Sequence, residues 1–415
     1  MGGMWKRETQ LVLCLEALGV QARACLTQSA LVNLAIWAAL AFWAYSRSAY
    51  WPLALQPLAT LIIDAFERVA GVSPFSREDG SIALYNHMRF ITANPFGGGI
   101  DLGFNFYNGD YSKSADKAQT DKFEHAWKLL GLQEGMRVLD CGCGMGDWLY
   151  WLKTVKNCTV VGINMTDAHV LVVRKRGMKC IHSDWQTLFA DKARFAELAG
   201  QFDCVTFWDT IEHYCKASEI TVLGGLGRPG GTEVGTEKGT RNEQKRIDTY
   251  GNLFKMAGEL LDPNSSCGKM WSSTLHQTHS WKEEGLYGFW QIYAMISYYD
   301  GVYPYLRDGL SKFAPYGGFK LTHEEDRTED YRMTSLLERN HFGYVKYSGE
   351  PCALVSSLCC LFTDPHFWVF HIDAVLGLLG LETCWMWHLG GIEPHKPKKD
   401  AIAMLLWQVY SKAKA

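Results

Sequence analysis

Val138-Leu139-Asp140-Cys141-Gly142-Cys143-Gly144-Met145-Gly146-Asp147-Trp148 joins an apolar run, with an acid near its end, to a helical stretch through three glycines at alternate positions. Glycine lets the backbone turn sharply and approach a ligand with no Cβ in the way, as in the cofactor loops that follow the first strand of parallel α/β sheets. Outward from this loop the chain alternates. Short β-type runs at 136–141, 158–164, 178–183, 202–208 and 269–275 are separated by helical stretches, which predicts an α/β fold with a doubly wound, parallel sheet. A further helix is expected over 117–130.

Composition bounds what surrounds this core. At about 150 residues per domain, 415 residues make two to three units, and 47% hydrophobic content is enough to pack them. Lys plus Arg total 41 against 44 Asp plus Glu, a formal charge of -3 with no basic field for a phosphate backbone, so nucleic acid is not an expected partner. The 13 cysteines are odd in number and scattered, two of them (Cys14, Cys25) in apolar segments, which suits reduced thiols in a cytoplasmic-type compartment. Sixteen Trp suit a membrane interface as well as a core. Residues 24–46 carry no charge and are bracketed by Arg23 and Arg47; about 20 such residues cross a ~30 Å hydrocarbon layer, so a transmembrane anchor is expected, with a buried helical hairpin as the alternative. The shorter uncharged run 48–63, with Pro52 and Pro57, reads as interfacial. The resulting division is an apolar anchor at 1–70, a cap segment at 71–125, the core at 126–276 with a flexible insertion at 223–240, and a lid with sheet-completing strands at 277–415. Within the insertion, seven glycines fall in the sixteen residues 224–239 without a Gly-Lys-Ser/Thr ending, so a nucleotide P-loop is not supported.

The glycine spacing Gly142, Gly144, Gly146 differs from Gly-x-Gly-x-x-Gly and is preceded by Asp140. A ligand with a cationic amino acid end suits it: an ammonium meets acceptors at the strand tip, and a carboxylate meets N–H groups at the helix start. S-adenosylmethionine has both. The second run ends on Asn164-Met165 without an acid, leaving Asn164 and His169 to meet ribose hydroxyls. Ser183-Asp184-Trp185 offers an acceptor for an adenine amine and a flat ring, although Asp184 also suits a helix cap. The fourth run ends on Trp208-Asp209 at the carboxyl edge where ligands gather, with Glu212 and His213 just beyond. Desolvation among aromatics raises a carboxyl pKa, making Glu212 a candidate base or anchor; the other reading is a first-turn helix acid. His276 and His279 have no carboxylate or Cys nearby, and no metal is expected. The acidic run 324–330 reads as a solvated edge, with Tyr331 at its end the one residue carried forward.

Several stretches, in order, resemble the cyclopropane-fatty-acid synthase and mycolic-acid methyltransferase family of S-adenosylmethionine-dependent enzymes. They are Phe106-Tyr107-Asn108-Gly109-Asp110-Tyr111-Ser112, Gly135 to Gly144, Gly162 to His169, Ile211-Glu212-His213, Arg246-Ile247-Asp248-Thr249-Tyr250, and Gly318-Phe319 through Asp330-Tyr331-Arg332-Met333-Thr334-Ser335. The likeness runs from about Phe104 to Leu275 and resumes weakly from Gly317. It implies a Rossmann-like class I methyltransferase core with a mainly parallel seven-stranded sheet, N-terminal apolar helices and a helical, aromatic lid. By this resemblance Tyr111 and Ser112 touch the methionine end, Asn164 and His169 the ribose, and Trp185 the adenine, while Glu212 and Tyr331 hold a bicarbonate ion used as base. Lys113 stands where the family has Cys, and Ser273 where some members have His, which bears on ring closure, the step that must remove a proton, more than on methyl transfer. The implied substrate is a hydrophobic or lipid acceptor, an unsaturated acyl chain reached from a membrane. The alternatives are methylation of a small amphipathic metabolite and a noncatalytic membrane scaffold on the same fold.

Overall fold

The five central runs become strands whose middle residues are buried on both faces, as in a sheet covered by helices on both sides. They are β1 (Arg137–Cys141), β2 (Thr159–Asn164), β3 (Lys179–His182), β4 (Cys204–Trp208) and β5 (Lys269–Gln277), each within two residues of its expected ends. β1 to β4 are largely apolar in their middles, whereas β5 also buries Ser272, Ser273, Thr274 and His276. The computed structural model describes residues 103–215, 244–278, 303–304, 306–337, 401 and 403–413. The expected anchor, the glycine-rich insertion and most of the lid lie outside the described residues. Among the described residues no helix is long and apolar enough to cross a membrane.

Two further strands, β6 (Phe319–Asp326) and β7 (Ala403–Lys412), complete a seven-stranded sheet in the order β3-β2-β1-β4-β5-β7-β6. β1 pairs in parallel with β2 and β4, and β4 with β5, whereas β7 is antiparallel to both β5 and β6. The direction of winding reverses between the neighbouring strands β1 and β4, so the connections that leave their carboxyl ends part there, the place where such sheets bind ligands. The helices between strands are α2 (Asp147–Val155), α3 (Asp167–Lys175), α4 (Trp185–Ala190), α5 (Lys192–Ala196) and α6 (Asn252–Leu260); α1 (Ala115–Leu130) precedes the sheet and α7 (Thr328–Leu337) follows β6.

α1 starts where the Ser114 hydroxyl caps the Lys117 N–H and stops at Gly131 in the left-handed region. Its buried stripe of Ala118, Lys122, Phe123, Ala126 and Leu130 meets an aromatic cluster. Trp148 lies 5.6 Å from both Trp151 and Trp208, and Trp208 lies 4.9 Å from Trp271, which lies 5.5 Å from Trp407. Lys122, only 1% exposed, holds its ammonium 5.4 Å from the Trp208 ring centre. These five tryptophans therefore serve the core.

The acidic run is a correction. Instead of a solvated edge it forms the end of β6 and the start of α7, tied to the segment before α1. Burial alone would push the Glu325 carboxyl up, but hydrogen bonds from His125, His323 and Arg327 outweigh it and hold the pKa at about 2. Asp330 accepts from the Asn108 N–H at 2.8 Å, and Arg327 lies over the Phe106 ring at 4.5 Å. The seven cysteines of the described residues are free thiols.

Candidate active site

The three glycines after β1 all have positive φ, for three different reasons. A Cβ on Gly142 would collide with the Thr210 methyl, so this position is glycine because the loop after β4 presses on it. A Cβ on Gly146 would sit 3.0 Å from Val173 and 3.1 Å from Met178, so here the cause is packing of α2 against its neighbours. At Gly144 no atom of the described residues lies within 4 Å of the Cβ position: among them, this face of the loop is open. The loop is fixed from behind by the N–H groups of Gly142 and Cys143, both donating to Ile163 O at 2.9 and 3.1 Å.

Asn164, at the tip of β2, supports the same loop. Its amide donates to Gly144 O at 3.1 Å, while its carbonyl accepts from the Thr166 N–H at 2.9 Å. It therefore holds the glycine loop, and one lone pair of its amide oxygen is left for a ligand hydroxyl. Asp140 is buried rather than at the mouth, and accepts from the Thr206 hydroxyl at 2.8 Å. Asp184 takes the second of its two readings: it caps α4, accepting from the Thr187 N–H at 2.8 Å. Trp185 is buried and tilts against Tyr214, with ring centres 5.4 Å apart, and the Tyr214 hydroxyl donates to Thr210 at 3.2 Å. Met165, half-buried, gives its carbonyl to His182 at 3.0 Å. Burial keeps His169 neutral, with a pKa lowered to about 4.

Beyond β4 the backbone is strained. Asp209 has a φ of 49°, uncommon for a residue with a side chain, and is held by β5 on both sides: its N–H donates to Ser273 O at 2.8 Å and its carboxylate accepts from the Ser273 hydroxyl. This turn places Glu212 in a short helical turn, Ile211–His213, at 2% exposure. Burial first, and then the charge of Asp209, push the Glu212 carboxyl well above its ordinary range, against the lowering effect of the N–H groups of Leu275 and Glu212 itself. Among the described residues its Oε2 has no hydrogen-bond partner.

The remaining expected residues are placed less centrally. Tyr331 is buried on α7 with its ring stacked on Phe104 at 3.6 Å. Tyr111 is 38% exposed, and Ser112 is exposed with its hydroxyl donating to Asp110 at 2.6 Å. Lys113 turns to Phe106 O at 3.3 Å and Asp121 at 3.0 Å. The structure thus gathers Gly142, Gly144, Asn164, Asp209 and Glu212 around the carboxyl ends of β1, β2 and β4, and leaves Tyr111 and Ser112 at the surface. Thr210, whose methyl shapes the Gly142 turn, carries no recognisable pattern in the sequence.

Three glycine φ angles, an asparagine tether and a buried acid after β4 now stand together at one sheet edge. Residues 105–221 match the mycolic acid cyclopropane synthetase family model. This family match covers the glycine loop and Glu212. The family likeness extends to curated relatives: cyclopropane-fatty-acyl-phospholipid synthase of Escherichia coli is 31% identical over 110 residues, which are 26% of this chain and 27% of that one. (S)-tetrahydroprotoberberine N-methyltransferase of Eschscholzia californica is 29% identical over 108 residues, 26% of this chain and 31% of that one. The chain thus spans about a third or less of the length of these two relatives. Among solved structures, the cyclopropane synthase MmaA2 of Mycobacterium tuberculosis superposes with a TM-score of 0.51 at 15% identity, covering 80% of this chain and 98% of that one. The fold is that of the class I S-adenosylmethionine-dependent methyltransferases, as the family resemblance implies.

Proposed function

We propose that the protein is an S-adenosylmethionine-dependent methyltransferase that acts on a hydrophobic acceptor, an unsaturated lipid acyl chain. The observation that carries this reading is the open face at Gly144, in a loop whose other sides are fixed by Ile163, Asn164 and Thr210. The residues present fit an adenosyl ligand: the loop backbone can reach its amino acid end, Asn164 lies at the tip of β2 with His169 in the first turn of α3, and Trp185 follows β3. When bound, the cofactor supplies a methyl group already activated by its sulfonium. What the chain adds is alignment, exclusion of water and a proton acceptor. Aromatic rings around Trp208 exclude water. Glu212, whose carboxyl burial pushes above its ordinary range, holds a proton more firmly than an exposed carboxyl and is the group placed to take one up.

Bicarbonate fits less well. Of the positions that would surround such an ion beside Glu212, Ser273 is bonded to Asp209 and Lys113 to Phe106 O, so no step is assigned to it. We further place the enzyme at a membrane through the uncharged run 24–46, with its catalytic core in a reducing compartment. Deleting residues 1–70 should then move the protein to the soluble fraction; unchanged sedimentation argues against an anchor there.

Incubating the full chain with methyl-deuterated cofactor and a total lipid extract tests the reaction by mass spectrometry. A labelled lipid supports the proposal, and the label retained separates a methyl product, which keeps every deuterium, from a ring, which loses one. Label appearing only in small amines would instead favour the kind of reaction named for the Eschscholzia relative.

A further inference from the structure

Arg246, just before the turn that leads into α6, is 1% exposed, yet among the described residues its Nε, Nη1 and Nη2 have no hydrogen-bond partner. The Thr249 hydroxyl, one turn on, is equally buried and likewise has no partner among the described residues. A guanidinium does not shed its proton in proteins, so burial cannot be relieved by neutralisation, and an unpaired buried charge is among the costliest arrangements in a fold. The backbone is unusual at the same place: Ile247–Gly251 is a π-helical turn, a form concentrated at functional sites.

The topology sets this cluster beside the crevice. α6 leads into β5, which runs parallel to β4 and begins at the opposite edge of the sheet, so the start of α6 lies toward the edge where Glu212 sits. The buried Tyr250 hydroxyl responds to both groups: burial, and then Cys215, push it up, the Arg246 charge eases it down, and Glu212 pushes it up again. Tyr250 thus lies within the field of the guanidinium and of the carboxyl, whose Oε2 is also unpartnered among the described residues.

We infer that Arg246 and Thr249 hold an oxyanion of the methyl acceptor, a carboxylate or a phosphate. Every polar atom of a guanidinium is a donor, so the group it receives must be rich in acceptors; its planar fork matches two oxygens of one anion. A cationic amine is unsuited to this position. The inference rests on the proposed methyltransferase reading and narrows its substrate class to acceptors with an anionic end.

The test uses the full chain, as wild type, Arg246→Met, Arg246→Lys and Thr249→Val, titrated by calorimetry with inorganic phosphate, with oleate against methyl oleate, and with dioleoylphosphatidylglycerol vesicles against dioleoylglycerol. Wild type should prefer the anionic probe over its neutral counterpart by about thirtyfold or more, as expected for a desolvated charge pair. Arg246→Met should abolish that preference, and Arg246→Lys should keep part of it. Binding of phosphate alone identifies a small free oxyanion; binding of oleate or the vesicles identifies a lipid end. No preference in wild type, or a preference that survives in Arg246→Met, overturns the inference. Without ligand, Arg246→Met should melt no lower than wild type, because it removes an unpaired buried charge; a markedly lower melting temperature would reveal a structural partner and also overturn it. S-adenosylmethionine is titrated separately. Its failure to bind wild type sinks the methyltransferase reading, whereas loss of oxyanion preference with intact cofactor binding sinks only this inference.

Discussion

At Gly142 the space a Cβ would need belongs to Thr210, while at Gly144 no described residue fills it, and this difference separates two roles within one loop. Both residues have positive φ, which costs a residue with a side chain about 1–2 kcal/mol wherever it occurs. Gly142→Ala adds a collision with a packed threonine, worth about 1–3 kcal/mol more. Gly142→Ala should therefore lower the unfolding free energy by about 2–5 kcal/mol, measured by urea denaturation, and Gly144→Ala by about 1–2 kcal/mol. For cofactor binding by calorimetry, Gly144→Ala should lose affinity although its fold is retained, because the added methyl enters the open face. Equal stability losses in the two variants would refute the assignment. The glycines were legible in the sequence because few other demands call for three at alternate positions. Asp140 and Asp184 were not, since a short carboxylate serves a hydroxyl or a helix cap within its own fold as readily as a ligand.

The elements show the same division between pattern and context. Short β-type runs between helical stretches announced β1 to β5, whereas Glu324, Glu325 and Asp326 looked like solvent-facing residues because charge in a sequence does not reveal its partner. Glu325 meets His125, 200 residues earlier, and Arg327, whose guanidinium also donates to the Asn108 side-chain oxygen at 3.0 Å, while Glu324 meets Arg307 and Gln408, and Asp326 accepts from Thr328. The tip of β2 is another element whose purpose only the structure reveals. Asn164 bonds forward to Thr166 and across to Gly144, so the end of a strand and the cofactor loop are one mechanical unit. Asn164→Ala removes both bonds at once; at about 1 kcal/mol each, it should destabilise the protein by about 2 kcal/mol. If the tether also sets the loop for its ligand, cofactor affinity should fall by about tenfold, with Asn164→Asp, which keeps the acceptor toward Thr166 but not the donor toward Gly144, in between. Unchanged affinity in Asn164→Ala would confine the residue to stability.

For the molecule as a whole, buried titratable groups pull stability in two directions with pH. Burial holds His169, His213 and His276 at a pKa of about 4, below the ordinary 6.5. Between these values the unfolded chain binds more protons than the folded one, so stability falls as pH drops from 6.5 through 4, each histidine contributing at most about 1.4 kcal/mol per pH unit. Glu212 has the opposite sign. Its folded pKa lies above its ordinary 4.5, so the folded chain holds the extra proton, and its contribution, complete at low pH, is lost as pH rises through the raised value. Together they predict a dome of stability with an acid limb from the histidines and an alkaline limb from Glu212. Urea unfolding across the range should show that Glu212→Gln, which keeps the shape of the neutral carboxyl, flattens the alkaline limb and leaves the acid limb in place. His276→Gln should reduce the acid limb alone, because His276 is fully buried on β5 with its Nδ1 against Thr274 O at 3.0 Å. If Glu212→Gln loses stability toward alkaline pH as steeply as wild type, the proton held at the end of β4 resides on another group, and Glu212 loses its claim to be the base.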